Sequence, residues 1–284
     1  MKYLIVSADD LGLAESINRG ILKGYAEGIV TSLNVIPSGK AFFDAMSSLK
    51  LLKPKEISAH LALTGTSPVT EAGKVPTLIA QDGDFHKNYP GFLPRFLFGK
   101  VNNDEIYLEL RNQLERLKAT GITITSLSSH EHIHMLAGIL EIFIRLAKEY
   151  KIPSIRYLHN DRFLYPYNVK KVFKKIILEY FDGKTKRALD KAPIRYTDNF
   201  LGFLDSGNIR EELLIKMLKD LPDGTTELVA HPGFISAEVL DRCVFHRHCE
   251  TDLAALTSRR VRKVIDDSHI KLISFSDLAN LPKN

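Results

Sequence analysis

Short apolar runs of strand length alternate with stretches of helical period from one end of this chain to the other. The strand readings are Tyr3–Ala8, Ser32–Pro37, Ile57–Leu63, Ile122–Ser128, Ser154–Leu158, Glu227–Ala230 and Lys271–Ser274. The helix readings are Ala14–Glu27, Ala41–Leu52, Asp104–Thr120, Ala137–Tyr150, Val169–Leu189, Asn208–Leu221, Thr251–Asp267 and a short one at Phe275–Leu281. A repeated strand-then-helix order predicts a parallel sheet, because parallel neighbours need long crossover connections. About seven strands favour an α/β (βα) barrel-like fold, a distorted or incomplete TIM-type barrel, over an open doubly wound sheet. A chain of 284 residues suits one domain over 1–284, since a single barrel commonly reaches that size.

The first helix shows the logic. Leu13, Ile17, Ile21 and Tyr25 recur every fourth residue and form one apolar stripe. Gly28 follows where a helix would close on a left-handed residue, and Asp104 and Glu105 place negative charge in the first turn of their helix. The segment from about 64 to 100 breaks the rhythm. It holds Pro68, Pro76, Pro90 and Pro94, and reads as a long excursion over the rim that shapes a substrate cleft.

Charge and composition exclude several classes. The net charge is +5, but the basic residues are scattered, and the densest runs, Lys184–Arg187 and Arg259–Lys263, read as solvated faces or loop ends. No nucleic-acid partner is expected. No apolar stretch approaches the roughly 18 residues needed to span a bilayer. The opening Met1–Gly12 has an apolar run of only about four residues followed by two carboxylates, unlike a secretory leader. Two cysteines give no disulfide framework, so a cytoplasmic address is expected.

The chemistry lies where strands end. Asp9 and Asp10, His60, the trio His130, His132 and His134, and His231 each follow an apolar run at its carboxyl end. Active sites of parallel α/β folds are built on that edge. Adjacent aspartates on a strand point to opposite faces, but a turn at Leu11-Gly12 could bring both to the rim. One would then bind a metal while the other takes a proton from water; the alternative is a helix cap. His60 could be a hydrogen-bonded structural residue. His130, His132 and His134 share parity, so an extended backbone would aim all three the same way.

Asp10, His60 and His130 together would give three protein ligands and leave coordination open for water, as catalytic metal sites do. His231 could protonate a leaving group, or could be structural. Arg156 could bind an anionic or hydroxyl-rich group, or form a surface salt bridge. The cluster Cys243, His246, His248 and Cys249 does not match the usual zinc-knuckle spacing and reads as a loop near the rim that offers His246 or Arg247 to substrate. A disulfide between Cys243 and Cys249 is within reach by spacing but disfavoured in a reducing compartment. Motifs for nucleotide binding and serine hydrolysis are absent.

These motifs, in order, resemble the YdjC-like carbohydrate deacetylases. The likeness rests on Ala8-Asp9-Asp10-Leu11-Gly12-Leu13, Asn18-Arg19-Gly20-Ile21, Gly28–Ser32, His60–Thr64, Ser129–His134 and His231-Pro232-Gly233-Phe234, with a weaker tail at Leu253–Ser258 and Ile273–Leu278. The resemblance implies a barrel-like hydrolase that removes acetyl from an N-acetylated sugar with one divalent metal ion, zinc or magnesium. It implies Asp10, His60 and His130 as ligands, Asp9 as the base and His231 as the acid; Thr64, His132, His134 and Arg156 are expected around substrate. A homodimer is one option for assembly. Two positions depart: Ser126 and Ser128 stand where the family carries His and Asp, beside the ligand strand. The departure concerns contacts to ligands or substrate more than reaction type. A cation site of this kind also suits another amide or a phosphoester, and an inactive sugar-binding homologue is a third reading.

Overall fold

The two faces of strand β1 (Lys2–Leu11) serve different interiors in alternating residues. Leu4, Val6 and Ala8 join the main core, together with Ile17 and Ile21 of the following helix. The other face starts with Ile5, packed in a small second cluster with Ile273, Phe275 and Leu278. It continues with Ser7, bonded to Glu227, and ends at Asp9. A strand shows its faces by period two, so apolar residues close the bottom of the sheet's inner face and polar ones climb toward its carboxyl edge. Each buried aliphatic side chain contributes roughly 1.5–3 kcal/mol over its exposed form.

The computed structural model describes residues 1–161, 183–242 and 244–282. β1 is followed by β2 (Ser32–Val35), β3 (Glu56–Leu61), β4 (Thr123–Ser129), β5 (Ser154–Ile155), β6 (Asn199–Leu201), β7 (Gly224–Ala230) and β8 (Lys271–Leu272). All pairings of these strands are parallel, in the order β5-β4-β3-β2-β1-β7-β6, with β8 paired to the lower part of β1 through Tyr3 and Leu4. The sheet curls into a half-barrel with helices outside, the α/β barrel-like fold expected. Among the described residues no helix is long and apolar enough to cross a membrane.

The described helices between and after these strands are α1 (Glu15–Glu27), α2 (Phe42–Leu52), α3 (Tyr89–Leu97), α4 (Asn103–Lys118), α5 (Ala137–Tyr150), α6 (Glu211–Lys219), α7 (Ala237–Arg242), α8 (Cys249–Leu256), α9 (Arg259–Asp267) and α10 (Phe275–Asn280). The expected helix Val169–Leu189 falls largely outside the described residues. β6 was not anticipated: it is three residues long and has no apolar run ahead of it. The expected single helix Thr251–Asp267 is two, α8 and α9. Ser258 interrupts it with extended backbone and accepts hydrogen bonds from the N–H groups of Arg260 and Val261, as an N-cap does. Gly28 does not close α1 in the left-handed region. Its φ is −113°, and glycine is needed because a Cβ would lie 2.6 Å from the carbonyl oxygens of Gly24 and Leu256.

Between β3 and α4 the chain crosses the rim, with one short 3-10 turn (Ala72–Lys74) and α3, which Asn88 caps through the N–H of Gly91. The N–H of Gly65 bonds the carbonyl of His86, which holds this segment against the end of β3.

Candidate metal centre

Asp9 and Asp10 both reach the site because β1 bulges between them. The pairing of β1 with β2 shifts register between Ala8 and Leu11, and Asp10 adopts a φ of 75°. A bulge re-aims a side chain that regular pleating would send to the other face. The rotation therefore occurs at Asp10 itself, one residue ahead of the expected Leu11-Gly12 turn. The loop that follows is fastened by Asn18, whose carboxamide accepts from Gly12 N at 2.6 Å and donates to the Ala41 carbonyl and Asp44.

His60, near the end of β3, sits between the two carboxylates: its Nε2 lies 3.6 Å from Asp9 Oδ2 and 3.5 Å from Asp10 Oδ1. Its other ring nitrogen meets Ser128 Oγ at 2.7 Å, so one of the departing serines orients this imidazole. His130, directly after β4, brings Nδ1 to 2.8 Å from Asp10 Oδ1. One ligand atom from each of Asp10, His60 and His130 lies within 4.8 Å of the other two, and the three can hold one metal ion. Two imidazoles with one carboxylate form a nitrogen-rich, buried donor set, which fits a cation of the transition-metal kind.

Electrostatics of the triad follow from burial and proximity. Burial alone would raise the Asp10 carboxyl, but the nearby His130 and the hydrogen bonds of His130, His246 and His60 hold it well below the usual range. Burial would lower His130, yet Asp10's charge and hydrogen bond push it up to about 9. Without a metal, the imidazolium of His130 supplies the positive charge this site favours.

Asp9 is held differently. Arg156 Nη1 donates to its Oδ2 at 2.6 Å and Nη2 to its Oδ1 at 2.8 Å, while Asn34 Nδ2 donates to Oδ1 at 2.5 Å. Against the raising effect of burial, Arg156 and then His60 keep Asp9 ionised far into acid. Arg156 is 1% exposed and also donates from Nε to Glu227 Oε1 at 2.9 Å. The surface salt bridge considered from the sequence is corrected to a buried one, and the guanidinium expected on substrate is spent on Asp9 and Glu227. Asn34 and Glu227 were not singled out, although a polar residue inside a short buried strand is the signal that could have found both.

The histidine trio does not lie on an extended strand. Residues His130–Met135 form a 3-10 turn in which Glu131 and His132 have φ of 53° and 55°. Only His130 reaches Asp10. His132 packs its ring on Phe203 and Phe200, with Nδ1 buried and unpartnered. His134 is fully buried, its Nδ1 against Ser129 Oγ at 2.6 Å and its Nε2 against the Arg156 carbonyl at 3.1 Å, so both nitrogens are engaged inside the protein. Burial lowers it to about 3. Thr64, just past β3, is fully buried with an unpartnered hydroxyl.

His231 follows β7; its N–H bonds Asp252 at 3.0 Å and its ring meets Phe245 edge-on at 4.8 Å. Burial, outweighing the pull of Asp10 and Asp9, lowers it to about 4. His246 comes from the loop read as a substrate contact. It is 1% exposed, and its Nε2 lies 3.1 Å from Asp10 Oδ2. Cys249 is a free, buried thiol, and Cys243 lies outside the described residues.

A family model described as YdjC-like protein matches residues 3–267. The chain belongs to the YdjC-like family. Among its relatives, a carbohydrate deacetylase of Thermoanaerobacter pseudethanolicus is 29% identical over 98% of this chain and 100% of its own length. A carbohydrate deacetylase of Brevibacillus brevis is also 29% identical, over 97% of this chain and 99% of its own. The crystal structure of an Enterococcus faecalis V583 protein superposes with a TM-score of 0.80 at 24% identity, covering 98% of both chains, and supports the fold.

Proposed function

We propose that this YdjC-like protein is a metal-dependent hydrolase that removes an acetyl group from an N-acetylated sugar or oligosaccharide and releases acetate. The convergence of Asp10, His60 and His130 from three strand ends carries the reading; the full-length likeness to carbohydrate deacetylases supports the substrate class. The nitrogen-rich donor set favours zinc or a similar ion over magnesium, which prefers oxygen ligands. A cation bound there would polarise the acetamide carbonyl and make water more acidic.

The chain's own residues divide the remaining work. Asp9, ionised and clamped by Arg156 and Asn34, accepts the proton of the attacking water. His231 is neutral in the resting site, so the proton that Asp9 takes from water has to pass to it before it protonates the departing sugar amine. The unpartnered Thr64 hydroxyl and His132 Nδ1 are left to contact substrate, while Arg156 and His134 act through the residues they hold. One domain carries the reaction, with the excursion at about 64–100 shaping the cleft. A free Cys249 suits a cytoplasmic address.

The test is acetate release from a panel of N-acetylated mono- and oligosaccharides, after chelation and after restoring zinc or magnesium. Turnover should vanish with chelator and return with metal, and both Asp10→Asn and His130→Ala should lose cation binding and turnover together. A metal-replete enzyme that frees no acetate from any sugar, or a fully active His130→Ala, would refute the assignment.

A further inference from the structure

We propose that His246 is a positioning residue for Asp10: its Nε2, 3.1 Å from Asp10 Oδ2, closes a hydrogen bond to that oxygen when a cation is bound and thereby leaves Oδ1 as the one oxygen facing the cation. The inference rests on the reading of Asp10, His60 and His130 as the cation site and adds to it a residue from outside the triad.

The contacts of Asp10 are split between its two oxygens. Oδ1 faces the triad imidazoles, His130 Nδ1 at 2.8 Å and His60 Nε2 at 3.5 Å. Oδ2 faces His246 Nε2 at 3.1 Å. His246 is not one of the residues whose ligand atoms converge within 4.8 Å, so it sits behind the carboxylate rather than beside the other ligands. Its ring is 1% exposed, and neither nitrogen has a well-aligned hydrogen-bond partner among the described residues. A polar group buried in that way is costly unless it serves a neighbour, and Asp10 is the charged neighbour within reach. The 3-10 turn Val244–His248 supplies the ring, and its neighbour Phe245 packs edge-on against both His246 and His231.

A hydrogen bond to the outer oxygen of a ligating carboxylate has two effects. It fixes the carboxylate's rotation, and it keeps the second oxygen from entering the coordination sphere, so a position stays open for water and substrate. Partners of ligands typically account for about 10–100-fold in metal affinity. Here the partner comes from a segment about 236 residues along the chain from the carboxylate it orients, as the two positions show.

Cobalt(II), titrated into chelated full-length protein and followed by its visible absorption, tests this. Wild type should bind one equivalent. His246→Ala should still bind one equivalent, about 10–100-fold more weakly, with a changed spectrum as Asp10 turns and engages both oxygens. His246→Gln, whose amide N–H can replace the imidazole donor, should recover most of the affinity and the wild-type spectrum. The proposal is overturned if His246→Ala matches wild type in affinity and spectrum, or if a folded His246→Gln recovers neither. In both cases wild type binds and His130→Ala does not, so the cation site stands. If folded wild type takes up no cobalt, the site reading fails first and this proposal with it.

Discussion

Gly20 and Gly233 pass each other backbone to backbone: a Cβ on Gly20 would lie 2.3 Å from the Cα of Gly233. The approach seats α1 against the loop that follows β7, two residues beyond His231. The Phe234 N–H bonds the Ser16 carbonyl across the same contact. Gly20→Ala should therefore cost stability at or above the upper end of the roughly 1–3 kcal/mol typical of overpacking, because the obstacle is main chain rather than a movable side chain. Denaturant unfolding measures the cost. Turnover should fall as His231 is displaced, while cation affinity, which depends on other strands, should hold.

Removing Arg156 strands two carboxylates. Arg156→Ala should destabilise by about 3–5 kcal/mol, the range for breaking a buried pair, since Asp9 and Glu227 both lose their counter-charge. Arg156→Lys keeps a charge but cannot reproduce the two-pronged grip on Asp9. Burial then pulls the Asp9 carboxyl upward, and the acid limb of the pH–rate profile should move to higher pH. An unmoved limb would remove Asp9 from the role of base.

Cation binding should release protons. Below about 9 the metal-free site holds a proton on His130 that must leave before its nitrogen can coordinate. Calorimetry in buffers of differing ionisation enthalpy should report about one proton released per ion at neutral pH, and affinity should rise about tenfold per pH unit until His130 titrates. The same group makes a second forecast. Its folded pKa is raised, so its contribution to stability of the metal-free protein is complete below the ordinary value of 6.5 and fades as pH climbs through about 9. Melting temperature against pH, with chelator present, checks the sign.

Ser258 starts α9 by accepting from Arg260 N at 3.1 Å and Val261 N at 3.4 Å. Ser258→Ala should cost about 1 kcal/mol, seen as a lower unfolding midpoint with unchanged cation affinity.

Much of the site was legible because strand ends are legible. An apolar run that stops at Asp or His marks an edge residue whatever the rest of the chain does, and Asp10, His60 and His130 converge as their positions implied. What escaped depended on local backbone. The parity argument for His130, His132 and His134 failed because Glu131 and His132 adopt left-handed angles and coil the segment. Arg156 could not be placed because its partners, Asp9 and Glu227, sit on strands distant in sequence. β6 was too short to show a period, and the break at Ser258 was hidden inside a stretch with continuous helical spacing. His246 was noticed, but for its cysteine neighbours. Nothing in its spacing points to the back of Asp10.

The bulged conformation at Asp10 joins two roles in a single residue, the proposed cation ligand and the turn of the chain at the strand end. A φ of 75° is tolerated by glycine, asparagine and aspartate and resisted by most other side chains. Replacement by Ala or Glu would therefore disturb the course of the chain as well as the charge, and any loss would mix the two. Asparagine keeps the side-chain shape and tolerates the left-handed backbone while deleting the negative charge, which makes it the informative control at this position and narrows what mutation could accept there.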